Sequence, residues 1–332
     1  MKVDFHFHLE EGPYSFRWLQ RTAQAIDATL NETEASHPVH TLPWIEEQTR
    51  RLNRRLEEGC FSKDWIERYL VRGRQKGIER FGIVDHLYRF DEFRDYYEKY
   101  ILMDDSKLGK LQRQWFDRVR VGSIDTYLKA VRDLQGEGYP LSVGVEADYF
   151  PGGEAELKTL LDRYKLDYVI GSVHFLEGWG FDNPEVKDLF ETRDLLDLYR
   201  DLFEHVKQAA RSGLFDIIAH LDNLKVFNYR PDESEMLGMY DEVAAVLKEA
   251  NVASEINTGL AYRYPIKEMC PSPSLLSSLY KQGVPITLSS DSHFPDDIGM
   301  MLNEAANLAY DTGYREIVYF ENRQRFTTLL ER

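Results

Sequence analysis

Seven short apolar runs are spaced along the chain, each bounded by turn residues or by polar stretches. They are KVDFHF (2–7), FGIVDH (81–86), LSVGVEADYF (141–150), YVIGSVH (168–174), DIIAHL (216–221), ASEIN (253–257) and PITLSSDSH (285–293). Their richness in β-branched and other apolar residues is what strands of a buried parallel sheet require. Between them, apolar residues recur at helical spacing. DLLDLYRDLFEHVKQAARSG (194–213) does so and ends at Gly213, which suits a helix stop. EMLGMYDEVAAVLKEAN (235–251) and SPSLLSSLYKQG (272–283) read the same way. Alternation of strand and helix predicts parallel βαβ units. Seven of them predict an α/β fold closed, or nearly closed, into a barrel. No dinucleotide-type glycine loop follows the first run, which weighs against an open doubly wound sheet.

Two gaps exceed what one helix and its turns need, and they predict helical insertions at about 15–76 and 87–140. The first contains PWIEEQTRRLNRRLEEG (43–59), in which Ile45, Thr49, Leu52 and Leu56 share a face. The second contains YRFDEFRDYYEKYILM, whose aromatic crowd could pack as a lid on the barrel mouth or bury a satellite core. There is no Ser/Gly/Pro-rich linker and no internal repeat. The expectation is one elaborated domain over residues 1–332.

Composition narrows the function. A hydrophobic fraction of 43% with 30% charged residues is an ordinary globular balance. The net charge of −16 opposes binding of long nucleic acids. Cys60 and Cys270 form no CxxC pattern or disulfide framework. No apolar run is long enough to span a bilayer and no signal-peptide pattern opens the chain, so a cytoplasmic protein without membrane contact is expected.

The chemistry lies at the ends of the runs. His6 and His8 stand two apart on the first, so their side chains point the same way. Every run carries a metal-capable or acidic residue at its C-terminal end: His6 and His8, His86, Glu146, His174, His220, Glu255, then Asp291 and His293. In a parallel barrel that end builds the active site. Six of the nine histidines fall in this set, leaving His37, His40 and His205 outside it. Imidazoles with carboxylates suit zinc, manganese or iron, and a carboxylate can bridge two ions. Such a pair can share a hydroxide and clamp a phosphoryl group without a side-chain nucleophile. Consistently, there is no GxSxG elbow and no P-loop.

As an ordered set, DFHFH, VDH, GVEADY, GSVHF, AHLD, EINTG and SSDSH resemble the polymerase-and-histidinol-phosphatase (PHP) family, and within it the histidinol-phosphate phosphatases. The resemblance covers Lys2 to about Gly299. It implies a distorted seven-stranded (β/α)7 barrel of the PHP type, two or three divalent metal ions (Zn, Mn or Fe), and hydrolysis of a small phosphomonoester. L-Histidinol phosphate, giving L-histidinol and phosphate through a metal-bridging hydroxide, is the expected reaction. By the same resemblance His6, His8, Glu146 and Asp291 surround a first ion. Glu146, His174 and His220 surround a second, and His86 and His293 hold a third. Many members carry a further histidine soon after the His-x-His. This chain reads LEEGPYS there, which leaves Glu10, Glu11 or Tyr14 to complete the third site. Lys225 in AHLDNLKVF and Arg263 in EINTGLAYRYP stand where relatives bind phosphate, with Arg230 as a reserve. Glu255 could orient a ligand, attract a substrate amine or simply accept backbone bonds. The competing readings are a relative acting on a nucleotide, sugar phosphate or oligonucleotide end, an amidohydrolase-type metal hydrolase, and a non-catalytic barrel. The amidohydrolase type uses a carboxylated lysine where this chain has Glu146.

Overall fold

The structure, a computed structural model, describes residues 1–30 and 37–331. Seven parallel strands form one sheet in sequence order: Lys2–Phe7, Ile78–Ile83, Leu141–Asp148, Tyr168–Ser172, Ile217–Ile218, Ala253–Asn257 and Ile286–Ser289. The last returns to the first. Ser292 bridges Phe7, the Asp291 amide donates to the His6 carbonyl at 2.8 Å, and the His8 amide donates to the Ser292 carbonyl at 2.8 Å. Asp4, fully buried on the first strand, reinforces the seam by accepting from the amides of Ser290 at 2.9 Å and Gly299 at 3.0 Å. The ring therefore closes, and all but the start of the first two strands is inaccessible, which explains their near-continuous apolar sequence.

The helices that follow the fourth, fifth and sixth strands start where their caps dictate. Leu195–Arg211 opens on Asp194 and Glu233–Glu249 on Asp232, each side chain accepting a first-turn amide. Pro273–Gln282 opens on Ser272, and Gly283 ends it at φ 69°, in the left-handed region a side chain would resist. Two strands differ from the sequence reading. The second lies three residues earlier than expected, because Val84–His86 leaves the ladder and His86 keeps an isolated bridge to Glu146. The fifth pairs over Ile217 and Ile218 alone.

The first insertion supplies helices Phe16–Ala28, Leu42–Glu58 and Lys63–Gln75. The face of Ile45, Thr49, Leu52 and Leu56 is not the one that packs: Ile45 is 47% and Leu56 46% exposed, while Gln48 and Arg55 are buried. Polar partners decide the rotation. Gln48 Nε2 donates to Asp27 Oδ1 at 2.7 Å, and Arg55 lies 4.4 Å over the Trp65 ring while donating to Glu10. The second insertion has two 3₁₀ turns, Leu87–Arg89 and Asp91–Phe93, and helices Arg94–Tyr100, Lys107–Arg118 and Ile124–Gly136. Its aromatic run, Tyr88 to Tyr97, joins the main core rather than a separate one. The run also gives Tyr88 to the cavity at the mouth, where Lys107–Arg118 supplies most of the wall from this insertion.

An antiparallel hairpin, Glu316–Glu321 with Gln324–Leu329, ends the described chain. Phe320 packs on Tyr168 and Phe5 with ring centroids 6.4 and 6.5 Å apart, so the hairpin covers the barrel end opposite the strand C-termini. Among the described residues no helix is long and apolar enough to cross a membrane.

Candidate metal centre

The strand ends converge on Glu146. Its Oε2 lies 3.2 Å from His6 Nε2, 3.2 Å from His8 Nε2 and 3.0 Å from His86 Nδ1. Its Oε1 lies 3.1 Å from His220 Nε2 and 3.6 Å from His174 Nε2. One carboxylate thus presents a different oxygen to each of two imidazole sets. Asp291 Oδ1 stands 3.6 Å from His8 Nε2 and 3.3 Å from His293 Nε2. Among the described residues, three buried groups have ligand atoms close enough to hold an ion: His6, His8 and Asp291; His8, His86 and Glu146; Glu146, His174 and His220.

The contacts fit cations better than they fit each other. His6 Nε2 and His8 Nε2 lie 3.0 Å apart, although His6 already uses Nδ1 toward Glu255 at 3.0 Å. His86 Nδ1 and His293 Nδ1 are buried without a hydrogen bond despite having carboxylates nearby. Nitrogen lone pairs facing carboxylates out of hydrogen-bond line are what ligands around a divalent ion present. The backbone also bends to serve the site. His220 has φ 23° and Asp291 φ 50°, left-handed values that cost a side chain energy and persist where function demands them.

Electrostatics sorts the histidines into two kinds. Burial pushes the pKa of His8 down, helped by His293, and holds His86 well below its ordinary value against the pull of Glu146. Burial and Arg263 bring His293 down to about 4. These three are neutral at pH 7, as ligation requires. Burial opposes charge on His6 and His174 as well, but carboxylates win there. Glu255 and Glu146 raise His6 well above its usual value, and Asp148 brings His174 up to about 10. Glu146 and Asp291, which burial alone would raise, are held well below the carboxylate range, Glu146 by His86 and His6, Asp291 by Arg263 and His293.

A second layer fixes the first. Glu255 holds His6 and also accepts the His220 amide at 3.1 Å, the Ser289 hydroxyl at 2.7 Å and Asn257 Nδ2 at 2.9 Å. It is fully buried and does not line the cavity, so it orients a histidine and meets no amine. Asp148 Oδ1 lies 2.8 Å from His174 Nδ1, and Tyr97 donates to its other oxygen at 3.0 Å. The sequence reading missed Asp148, yet the signal was there: it stands two residues after Glu146 on one strand and so shares its face.

Outside the cluster the picture differs from expectation. Lys225 is buried with Nζ on Asp222 Oδ2 at 2.9 Å, Glu268 Oε1 at 2.6 Å and the Met269 carbonyl at 2.7 Å. Its three donors are used and it does not line the cavity, so its expected place at the phosphate is corrected. Arg230 donates to Glu268 at 2.8 Å. Arg263 does line the cavity, donating to Asp291 Oδ2 at 2.8 Å, and Arg118 joins it from the insertion helix, a cation that sequence reading passed over. His86 groups with His8 and Glu146 rather than with His293, whose ring lies 6.3 Å from that of His86. Of the substitutes for a missing histidine, Glu10 is engaged by Arg55, Arg89 and Tyr14. Glu11 faces the cavity with Oε2 3.3 Å from His293 Nδ1. The cavity, about 480 Å³, also presents Asp182, Gln112 and Trp115.

A closed barrel with histidines and a bridging-type carboxylate at its C-terminal mouth, flanked by arginine, has the make-up of a metal-dependent hydrolase. Comparison with known proteins gives the family. The PHP domain matches residues 60–259, and the chain belongs to that family. A protein of Deinococcus radiodurans named probable histidinol-phosphatase is 38% identical over 213 residues, 62% of this chain and 80% of that protein. One of the same name from Schizosaccharomyces pombe is 27% identical over 263 residues, 74% and 81% of the two chains. The crystal structure of histidinol phosphate phosphatase from Lactococcus lactis, complexed with zinc, L-histidinol and phosphate, shares the fold. It matches with a TM-score of 0.65 over 98% of both chains at 17% identity. Family membership removes the amidohydrolase reading.

Proposed function

We propose that the chain hydrolyses L-histidinol phosphate to L-histidinol and phosphate in the cytoplasm, as one PHP barrel domain. The observation that carries this is Glu146, whose two oxygens face separate histidine sets. The names and bound ligands of the relatives point to the same substrate. Two or three divalent ions, Zn, Mn or Fe, would be held by His6, His8 and Asp291, by Glu146, His174 and His220, and by His86 with His8 and Glu146. When bound, such ions supply Lewis-acid polarisation of phosphoryl oxygens and acidify coordinated water.

The chain's own groups do the rest. Glu255 and Asp148 keep a proton on Nδ1 of His6 and His174, which turns each Nε2 lone pair inward. Arg263 holds Asp291 in place and has a buried Nε without a partner, a donor available for a phosphoryl oxygen. Glu11 and Asp182 give the cavity two carboxylates suited to the cationic end of an amino alcohol. Water displaces the alkoxide in line, and Trp115 and Gln112 of the insertion helix shape the outer wall.

The test is a comparison of kcat/KM for L-histidinol phosphate with that for glycerol phosphate, a sugar phosphate and a nucleoside monophosphate. Pairing the substrate amine with a carboxylate should give at least a tenfold to hundredfold preference, from about 1.5–3 kcal/mol for a charged hydrogen bond. Equal or faster turnover of a nucleotide would overturn the substrate while leaving the phosphatase class intact.

A further inference from the structure

A buried ion-pair network lies behind the metal centre, and the reaction proposed above makes no use of it. Arg89 is fully buried in the turn Leu87–Arg89, three residues after His86. Its Nη1 donates to both oxygens of Asp85, at 2.8 and 2.9 Å, and to the Glu10 carbonyl. Its Nη2 donates to Glu10 Oε1 at 3.3 Å and to the Tyr14 hydroxyl at 3.4 Å, and its Nε to the Val119 carbonyl at 3.4 Å. Every nitrogen of the guanidinium has an acceptor.

Both segments that Arg89 holds carry candidate ligands. Asp85 precedes His86 and accepts its amide at 2.8 Å, while the Asp85 carbonyl accepts the Glu146 amide at 3.0 Å. Glu10 stands two residues after His8 and directly before Glu11, whose Oε2 is 3.3 Å from His293 Nδ1. The loop is tied down next door as well, where the Leu9 carbonyl accepts from Trp65 Nε1 at 2.7 Å and the Tyr69 hydroxyl at 3.2 Å. One planar group thus joins the end of the first strand to the end of the second. His8 and His86 sit on those two ends with their rings stacked, centroids 4.3 Å apart, and with Glu146 they form one of the three ion-holding groups. Burying these charges costs desolvation that apolar side chains of similar volume would avoid, so stability alone does not account for them. What they supply is geometry. A fork with fixed angles cannot let one segment shift without drawing on the other.

We infer that Arg89 is a positioning residue of the metal centre: it sets the spacing of His8 from His86, and with it the affinity for the ion that those histidines would share with Glu146. The inference rests on reading the strand ends as a metal centre and is independent of the substrate. It is also selective. His174 is held by Asp148 and the His220 amide by Glu255, and neither carboxylate is bonded to Arg89.

The test is a calorimetric titration of zinc into stripped wild type, Arg89→Lys, Asp85→Asn and Asp167→Asn. Lysine keeps the charge, but its single nitrogen cannot reach Asp85, Glu10 and Tyr14 together. Asp85→Asn loosens the same clamp from its other side and carries the test if circular dichroism shows Arg89→Lys unfolded. Asp167→Asn is the control for a merely structural role. That buried carboxylate precedes the fourth strand, at the far end of the barrel, and accepts the amides of Val143 at 2.9 Å and Asn322 at 3.0 Å. The wild type should take up at least two ions. In both clamp variants one ion should bind ten- to hundredfold more weakly, as loss of an outer partner of a metal ligand does, while the others hold. Anomalous density in zinc-loaded crystals should then fall between His8 and His86 and stay between His174 and His220. Unchanged affinity for every ion, an equal loss for all of them, or the same loss in Asp167→Asn would overturn the role of Arg89. Fewer than two ions in the wild type would overturn the metal centre itself, a failure visible before any variant is compared.

Discussion

Glu146 is where single residues matter most. Replacing it with Gln keeps the volume but removes the charge that five imidazoles face. We expect Glu146→Gln to cut both bound metal and activity by at least about a hundredfold, since losing even an outer partner of a metal ligand costs ten- to hundredfold. Elemental analysis and phosphate release check this together. Asp148 gives a pH signature. In the metal-free protein burial disfavours charge on His174, but Asp148 raises its pKa from 6.5 to about 10. A raised folded-state pKa stabilises fully below the unfolded value, and that gain is lost as pH rises through the folded one. The unfolding midpoint of stripped protein should therefore fall between pH 6.5 and 10, and Asp148→Asn should flatten the fall. The candidate ligand histidines were legible because each sits at or near the end of an apolar run. Lys225 was misread because sequence spacing says where a side chain starts, while Asp222, Glu268 and the Met269 carbonyl decide where its ammonium goes.

Among the elements, the turn after the sixth strand leaves its glycine no room for a side chain. A methyl group on Gly259 would lie 2.7 Å from Arg263 Nη2, 2.8 Å from Asp291 Oδ2 and 3.0 Å from Asn257 Oδ1. The first two are the ends of side chains in the candidate site, so the clash should be relieved by displacing them. Gly259→Ala should then lower kcat/KM about tenfold or more, while shifting the unfolding midpoint by only a few degrees. Loss of stability without loss of activity would contradict it. Helices with caps at both ends, such as Pro273–Gln282, were legible to within a residue or two. The helix Leu42–Glu58 was legible in extent but not in orientation. Its apolar stripe lost to Gln48 and Arg55, whose partners Asp27 and Glu10 lie elsewhere in the chain. Periodicity reports a helix's own faces and cannot report a buried polar partner on another element.

For the whole molecule, barrel closure and metal binding should act together. The strand ends put carboxylates and histidines at hydrogen-bond distances of one another, and bound cations would relieve that crowding. Stripping metal should lower the unfolding midpoint by an amount that grows with the metal concentration used for reloading. The seven-stranded order was readable because parallel strands need apolar runs. The terminal hairpin was not read, because Gln324–Leu329 is mostly exposed and the apolar part of Glu316–Glu321 is only Ile317 to Phe320. The account as a whole rests on a metal cluster built around Glu146 that hydrolyses a phosphomonoester. Its most direct test is to titrate stripped protein with Zn or Mn while following phosphate release from L-histidinol phosphate. The account predicts negligible release without metal and a rise that reaches its plateau at about two or more ions per chain. Full turnover by the stripped protein, or a plateau at a single ion, would contradict it.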